Sequence, residues 1–211
     1  MKNYTISLIG LHSRQTVVIG GGYIAARKVE GLLAAGAQIK IISPLLIPEL
    51  QFIADEGDII FLPRSYQDGD LEGAFLVIAA TDNPAVNQAV WMEAERRGCL
   101  INVVDDPQHC NFILPAVVRR GEMNIAISTG GNSPALARRL RERIEKLIGP
   151  EYEVLSKVLG ELRPELIANF PEGEARLQAA LSLVDSDILN IIQSQGSNAA
   201  LTYGRDQLHQ E

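Results

Sequence analysis

The sequence predicts an α/β fold in which a doubly wound parallel sheet comes first and a helical region closes the chain. Three observations carry that expectation. Short apolar runs alternate with stretches of helical periodicity through the first hundred residues, the grammar of repeated strand–helix–strand units. Phe75-Leu76-Val77-Ile78-Ala79 is apolar at every position, as in a parallel strand covered on both faces. Past Asp105 the order changes to two β-rich runs followed only by helical patterns.

The elements follow in order. Thr16-Val17-Val18-Ile19 is the first strand and runs into Gly20-Gly21-Gly22, from which a helix is predicted over residues 23–35. Gly36 stands where a helix C-terminal glycine belongs. Ile39-Lys40-Ile41-Ile42 is the second strand, closed by Ser43-Pro44, and a helix over 48–56 leads to a strand at 59–62. Asn83-Pro84 opens a helix to about Arg97, and Gly98 precedes a strand over 100–104. Two further strands are predicted over 112–118 and 124–128, with Gly121 permitting the turn between them. Ser133 is an expected N-cap, with Pro134 at the first helical position. Val154, Leu155, Val158, Leu159 and Leu162 recur at helical spacing until Pro164, which is expected to interrupt the helix. Leu177, Leu181, Val184, Ile188, Leu189 and Ile192 form a further apolar set. Gly196-Ser197-Asn198 ends it, leaving the last dozen residues poorly anchored.

Composition bounds the function. At about 150 residues per domain, 211 residues allow one domain with an appendage or two small ones. A chain that is 46% hydrophobic and 21% charged has material for a core, which argues against disorder, collagen or coiled coil. No window approaches 18 consecutive apolar residues, so no spanning helix and no membrane partner are expected. Ser7, His12, Ser13 and Arg14 break the start of the chain where a signal peptide would need an apolar run. Cys99 and Cys110 neither frame a disulfide scaffold nor match a zinc spacing, so a reducing, cytoplasmic setting is expected. The net charge of −7 is unevenly placed. Residues 1–110 carry 8 Lys/Arg against 13 Asp/Glu, residues 111–147 carry 7 against 3, and residues 148–211 carry 4 against 10. A basic middle of +4 in an acidic protein suggests a local anionic ligand rather than nucleic acid, which calls for a basic domain.

Gly20-Gly21-Gly22-Tyr23-Ile24-Ala25 fits the G-x-G-x-x-G/A dinucleotide fingerprint. Gly20 permits the tight turn, Gly22 lets backbone approach a pyrophosphate, and Ala25 allows close packing of helix on strand. The helix start supplies oriented N–H groups. The acidic residue that usually grips the adenine ribose is replaced by Ser43 and Pro44. Ser43 can still hydrogen-bond a ribose hydroxyl, and no arginine stands there to favour a 2′-phosphate, so NAD is the expected cofactor. Asn102-Val103-Val104-Asp105-Asp106-Pro107 puts two carboxylates just past a strand end, the edge where doubly wound folds bind ligands. Asp105 is read as a proton acceptor and Asp106 as a turn former. His109 is read as an exposed loop histidine, and no metal-ligand cluster is expected. Ser128-Thr129-Gly130-Gly131-Asn132-Ser133-Pro134 is a second glycine-rich turn before a helix carrying Arg138, Arg139, Arg141 and Arg143, with Arg119 and Arg120 across the preceding turn. It offers hydroxyls, N–H groups and guanidinium groups to an anion, the alternative being a capped helix with a solvated basic face.

Taken together, these segments resemble the precorrin-2 dehydrogenase family, which also forms the N-terminal module of multifunctional siroheme synthases. The resemblance runs through Val17–Gly22 with Ala26-Arg27-Lys28-Val29, Ala79-Ala80-Thr81-Asp82 with Val86-Asn87, Asn102–Pro107, Phe112-Ile113-Leu114-Pro115-Ala116 and Ile127–Arg138. It is close over residues 16–147 and looser beyond. The family often begins with Tyr-Pro before Phe-Leu, where this chain reads Tyr4-Thr5-Ile6-Ser7-Leu8.

The resemblance implies a Rossmann-like NAD-binding domain over 1–112, a small α+β dimerisation segment over 113–147 and a C-terminal helical domain over 148–211. It implies NAD-dependent oxidation of precorrin-2 to sirohydrochlorin by a stand-alone homodimer, with iron insertion into sirohydrochlorin as an added activity of some members. Asp105 matches the family's proposed catalytic residue. NAD contacts fall on Gly20, Gly21, Gly22, Tyr23, Ile24, Ser43, Pro44, Leu45 and Thr81. Substrate contacts fall on Ser128, Thr129, Gly130, Asn132, Arg119, Arg120 and Arg138. The eight carboxylates of precorrin-2 suit the basic middle segment. A non-enzymatic NAD-sensing module is the alternative; it would account for the glycine turn but not for Asp105 or the second turn with its arginines.

Overall fold

The alternation read from the sequence is realised in a computed structural model, which describes residues 4–170 and 173–209. Strands β1 (Gln15–Ile19), β2 (Gln38–Ser43), β3 (Ile59–Pro63), β4 (Ala74–Ala79) and β5 (Leu100–Val103) form one parallel sheet in the order β3-β2-β1-β4-β5. Helices α1 (Tyr23–Leu33), α2 (Pro48–Asp55) and α3 (Pro84–Arg97) connect them. The chain order reverses between β1 and β4, the switch point at which an open sheet offers a crevice.

Period-2 alternation sends successive side chains to opposite faces, and both faces are buried. Val18, Ile39, Ile41, Leu76 and Ile78 pack with Ala25, Val29 and Leu32 of α1 and Leu50 of α2. Val17, Ile19, Ile42, Val77, Ala79, Ile101 and Val103 pack with Val90 and Ala94 of α3. Punctuation residues set the helix ends. Asn83 Oδ1 accepts from the N–H groups of Ala85 and Val86 at 3.0 and 3.3 Å. Gly36 and Gly98 adopt φ of 73° and 68°, and in each case the next residue's N–H reaches back to a carbonyl five residues earlier, Leu32 and Ala94.

One buried charge sits in this first unit. Glu93 of α3 is fully buried, and its carboxylate accepts from Tyr66 Oη at 2.5 Å, Gly69 N at 3.0 Å, Leu71 N at 3.4 Å and Arg97 Nε at 2.6 Å. Burial and the Glu93 carboxylate push the Tyr66 phenol well above the usual tyrosine range. The residues that join β3 to β4 are therefore tied to a helix in the absence of any strand of their own.

Contacts divide the chain into units 1–114 and 115–211. The second contains the antiparallel hairpin β6 (Ala116–Arg120) and β7 (Met123–Ile127), then α4 (Pro134–Leu147), α5 (Glu151–Asn169), α6 (Glu174–Val184), α7 (Ile188–Gln195) and α8 (Ser197–His209). Four expectations need correction here. The first strand begins at Ala116, not at 112, because Asn111 through Pro115 have no ladder partner. Helix α5 continues through Pro164: its face at Leu155, Val158 and Leu162 is buried in the helical core, and that packing outweighs the lost backbone bond. Leu177, Leu181 and Val184 are exposed, while Ala179 and Leu183 carry the buried face of α6. The chain end is anchored: α8 buries Ala200, Gly204 and Leu208, and a Cβ on Gly204 would stand 2.3 Å from Leu162 Cδ1. Only residues 210–211 of the segment read as loose lie outside the described residues.

Candidate functional site

The glycine turn between β1 and α1 lies at the C-terminal edge of the sheet, and its three glycines answer different demands. Gly20 has φ 116°, and a Cβ there would stand 2.3 Å from the Ala80 carbonyl oxygen. A Cβ on Gly21 would stand 2.1 Å from the Leu45 carbonyl oxygen and 2.9 Å from Ser43 Oγ. Protein packing therefore requires both. Gly22 has φ −90°, and a Cβ there would meet nothing within 4 Å, so the protein's own packing gives no reason for glycine at that position. It is the residue at which an incoming group would need bare backbone, at the start of a helix whose first N–H groups point outward. Tyr23, Ile24 and Leu45 beside it are exposed apolar side chains. These residues fit a dinucleotide: two glycines shape the turn and the third leaves its approach open.

Ser43 differs from its expected role. It is buried, and its hydroxyl donates to the Leu45 carbonyl at 2.7 Å, so it closes the β2 turn and has no proton left to donate to a ribose. Pro44 and Leu45 are exposed above it. Thr81 caps the end of β4: its Oγ1 donates to Asn87 Oδ1 at 2.7 Å, and Asn87 Nδ2 donates back to the Thr81 carbonyl at 3.0 Å.

Beyond Thr81 the edge opens into a cleft of about 360 Å³, lined among others by Thr81, Asp82, Asn87, Gln88, Asp106 and His109. Asp105 does not line it. That aspartate is exposed at the end of β5 with φ 61°, the one positive φ outside glycine among the described residues. Such a conformation costs on the order of 1 kcal/mol or more and is held by its surroundings. The surroundings are specific. Asp106 N–H donates to the Val103 carbonyl at 3.3 Å, the Cys110 thiol donates to that carbonyl at 3.2 Å, and Asn111 Oδ1 accepts from Ile101 N–H at 2.8 Å. On the α1 side, burial and the neighbouring Arg27 lower the Lys28 ammonium below the usual lysine range, and the charge of Asp105 opposes that shift.

Asp106 and His109 do more than the turn and the exposed loop residue expected of them. His109 Nδ1 lies 2.6 Å from Asp106 Oδ2, and the ring meets Trp91 of α3 edge-on at 4.4 Å between centroids. The His109 hydrogen bond holds the Asp106 carboxyl below the usual carboxylate range. The Asp-x-x-His spacing across a Pro-led turn was the available sequence signal; it carries information only once Trp91 and the cleft are brought beside it.

In the second unit Ser128, Thr129, Gly130 and Asn132 form a turn stitched to itself. Ser128 Oγ accepts from Gly130 N–H at 3.2 Å, and Thr129 Oγ1 accepts from Ser133 N–H at 3.0 Å. Both hydroxyl protons are left to donate outward. Arg119 is exposed, and Arg138 is exposed and paired with Glu142 at 3.0 Å. Arg120 departs from its expected role as an anion contact. Its Nε, Nη1 and Nη2 donate to the carbonyls of Ile148, Arg119 and Glu145 at 2.8 Å each, so its fork satisfies the orphan carbonyls at the end of α4. Among the described residues no group of three or more His, Cys, Asp or Glu is placed to hold a metal ion, and no helix is long and apolar enough to cross a membrane.

A family model described as "Putative NAD(P)-binding" matches residues 8–116, and one described as "Sirohaem biosynthesis protein central" matches residues 120–147. The chain is 39% identical over 170 residues to a siroheme synthase of Actinobacillus pleuropneumoniae, covering 81% of this chain and 35% of that protein. It is 45% identical over 166 residues to a siroheme synthase of Methylobacillus flagellatus, covering 79% and 36%. The chain thus spans little more than a third of the length of these two relatives. A solved structure titled SirC, precorrin-2 dehydrogenase, superposes with a TM-score of 0.72 at 28% identity, covering 99% of this chain and 98% of that one.

Proposed function

The chain belongs to the NAD(P)-binding family matched over residues 8–116, and from that premise we propose that it catalyses NAD-dependent dehydrogenation of precorrin-2 to sirohydrochlorin in siroheme biosynthesis. The observation that carries the reading is the likeness to a precorrin-2 dehydrogenase over almost the whole of both chains, joined to a glycine turn whose third position is open. The reaction removes two hydrogens from the substrate, one as a hydride and one as a proton, and the freed electron pair becomes a new double bond in the macrocycle. NAD, when bound, supplies the hydride acceptor.

The chain's own residues bind, orient and take the proton. Gly20 and Gly21 shape the turn and Gly22 gives the dinucleotide a bare backbone at a helix start, with Tyr23, Ile24, Pro44 and Leu45 as apolar walls and Thr81 at the cleft end. Asp105 accepts the proton at its carboxylate oxygen, where exposure lets water carry the proton away. Most of the rate enhancement comes from holding donor carbon and acceptor in register. Ser128, Thr129, Gly130, Asn132, Arg119 and Arg138 meet substrate carboxylates, whereas Arg120 serves the fold. In this reading the protein is a cytoplasmic homodimer joined through residues 113–147, with residues 1–112 and 148–211 as its NAD-binding and helical domains, and it needs neither nucleic acid nor membrane.

The test is an anaerobic assay with freshly generated precorrin-2 and NAD, following NADH and the tetrapyrrole spectrum together. Equimolar NADH and sirohydrochlorin are expected, and Asp105→Asn should lower turnover more than tenfold, over about 1.4 kcal/mol of barrier, with NAD affinity retained. No reaction from a folded chain that binds NAD would overturn the reading and favour a sensing module.

A further inference from the structure

The cleft beside Thr81 holds a histidine that the proposed reaction leaves without a task. His109 is the one side chain lining that cleft that can carry a positive charge; the acidic side chains lining it are Asp82 and Asp106. Its ring is fixed on two sides. Asp106 Oδ2 takes Nδ1 at 2.6 Å, and Trp91 presses on the ring from α3 at 4.4 Å. No protein partner engages Nε2 among the described residues, so in the protonated ring Nε2–H is a donor with a set direction and nothing yet to donate to.

We propose that His109, oriented by Asp106 and Trp91, anchors one carboxylate of the substrate in this cleft and so fixes how the macrocycle enters. The inference rests on the proposed tetrapyrrole reading, because it needs a ligand that carries several carboxylates. The chemistry is selective. An anion entering a cleft with Asp82 and Asp106 on its walls meets repulsion unless the imidazolium stands between. Once Asp106 balances the ring charge, the remaining donor gives a charge-assisted hydrogen bond to the incoming carboxylate. A neutral His109 would leave Asp82 and Asp106 uncompensated, so affinity for a carboxylate should be lost with the ring's second proton. His109 is thus a positioning and specificity residue, distinct from Asp105, which takes the proton.

The experiment uses the full chain and uroporphyrin I, a soluble macrocycle with eight carboxylates, with binding read by its fluorescence between pH 6 and 8.5. Wild-type affinity should be about tenfold weaker at pH 8.5 than at pH 6. His109→Gln should bind at pH 6 as weakly as the wild type does at pH 8.5, with NAD affinity unchanged. His109→Lys keeps a cation at every pH of the range and should hold the tighter affinity up to pH 8.5, an outcome that a merely structural role for His109 would not produce. Equal affinity of wild type and His109→Gln at every pH would overturn the anchor. So would loss of turnover in His109→Gln with its tetrapyrrole affinity intact, which would make His109 a proton-transfer group. Failure of the wild type to bind uroporphyrin at any pH while still binding NAD would overturn the tetrapyrrole reading itself, and the anchor with it.

Discussion

Two neighbouring glycines in one turn should fail in opposite ways when substituted. In Gly21→Ala the new Cβ would lie 2.1 Å from the Leu45 carbonyl oxygen, about 1 Å inside the closest separation real Cβ atoms show. The obstacle is backbone, and it already accepts the Ser43 hydroxyl at 2.7 Å, so moving it costs that bond as well. Overpacking of this kind costs about 1–3 kcal/mol and a lost hydrogen bond about 1 more. A destabilisation of about 3 kcal/mol should lower the melting temperature by roughly 6–12 °C in a chain of this size. Gly22→Asn meets nothing within 4 Å, and asparagine is a favoured N-cap, so its melting curve should overlay that of the wild type. Its NAD affinity should fall at least tenfold, because the side chain fills the approach to the backbone. Thermal denaturation by circular dichroism and NAD titration by calorimetry give both quantities. A stable Gly21→Ala, or a Gly22→Asn that binds NAD as well as the wild type, would refute the division of labour within the turn.

Three further outcomes follow from the packing and the charges. Glu93→Leu leaves the Tyr66 hydroxyl and the Gly69 and Leu71 N–H groups without their acceptor and should cost about 3 kcal/mol, read as a lower urea midpoint. The two hydrogen bonds from Arg64 hold the Asp70 carboxyl below its ordinary 3.8. Because the folded value is the lower one, that stabilisation is complete above 3.8 and is lost as pH falls through the folded value, so Arg64→Met should flatten this acid limb of the stability curve while lowering stability at neutral pH. Gly204→Val drives a side chain into Leu162 across the α5–α8 contact and should destabilise the helical unit by about 2 kcal/mol, measured as an earlier thermal transition.

Much of the first unit was legible because its signals are local. Apolar runs, helix-capping residues and positive-φ glycines lie within a few positions of the structure they specify, so the parallel sheet and the glycine turn could be read directly. The second unit was less legible because its outcome is set by partners far along the chain. Pro164 breaks an isolated helix but not one clamped along the Leu155–Leu162 face, and Gly204 looks like a helix weakener until Leu162 is placed against it. Leu177, Leu181 and Val184 have the right spacing and the wrong face, since hydropathy ranks them above Ala179 while close packing favours the smaller residue. At the site, Arg120 and Ser43 have side chains suited to ligands, but each meets a backbone carbonyl first. His109 gained meaning only through Trp91, eighteen positions away in sequence.

The segment 64–73 has no regular structure, yet many of its polar groups are spoken for: Glu93 holds Tyr66, Gly69 and Leu71, Asp70 holds Arg64 and Gln67, and Arg96 holds Asp68. A protease needs several consecutive residues to peel away from the surface, and peeling Tyr66 through Leu71 would strand the Glu93 carboxylate in the interior. The segment should therefore resist nicking for as long as the sheet itself survives. For the same reason it is a poor place to splice in a tag or a second protein, although by its lack of helix or strand it would be the first place an engineer would choose.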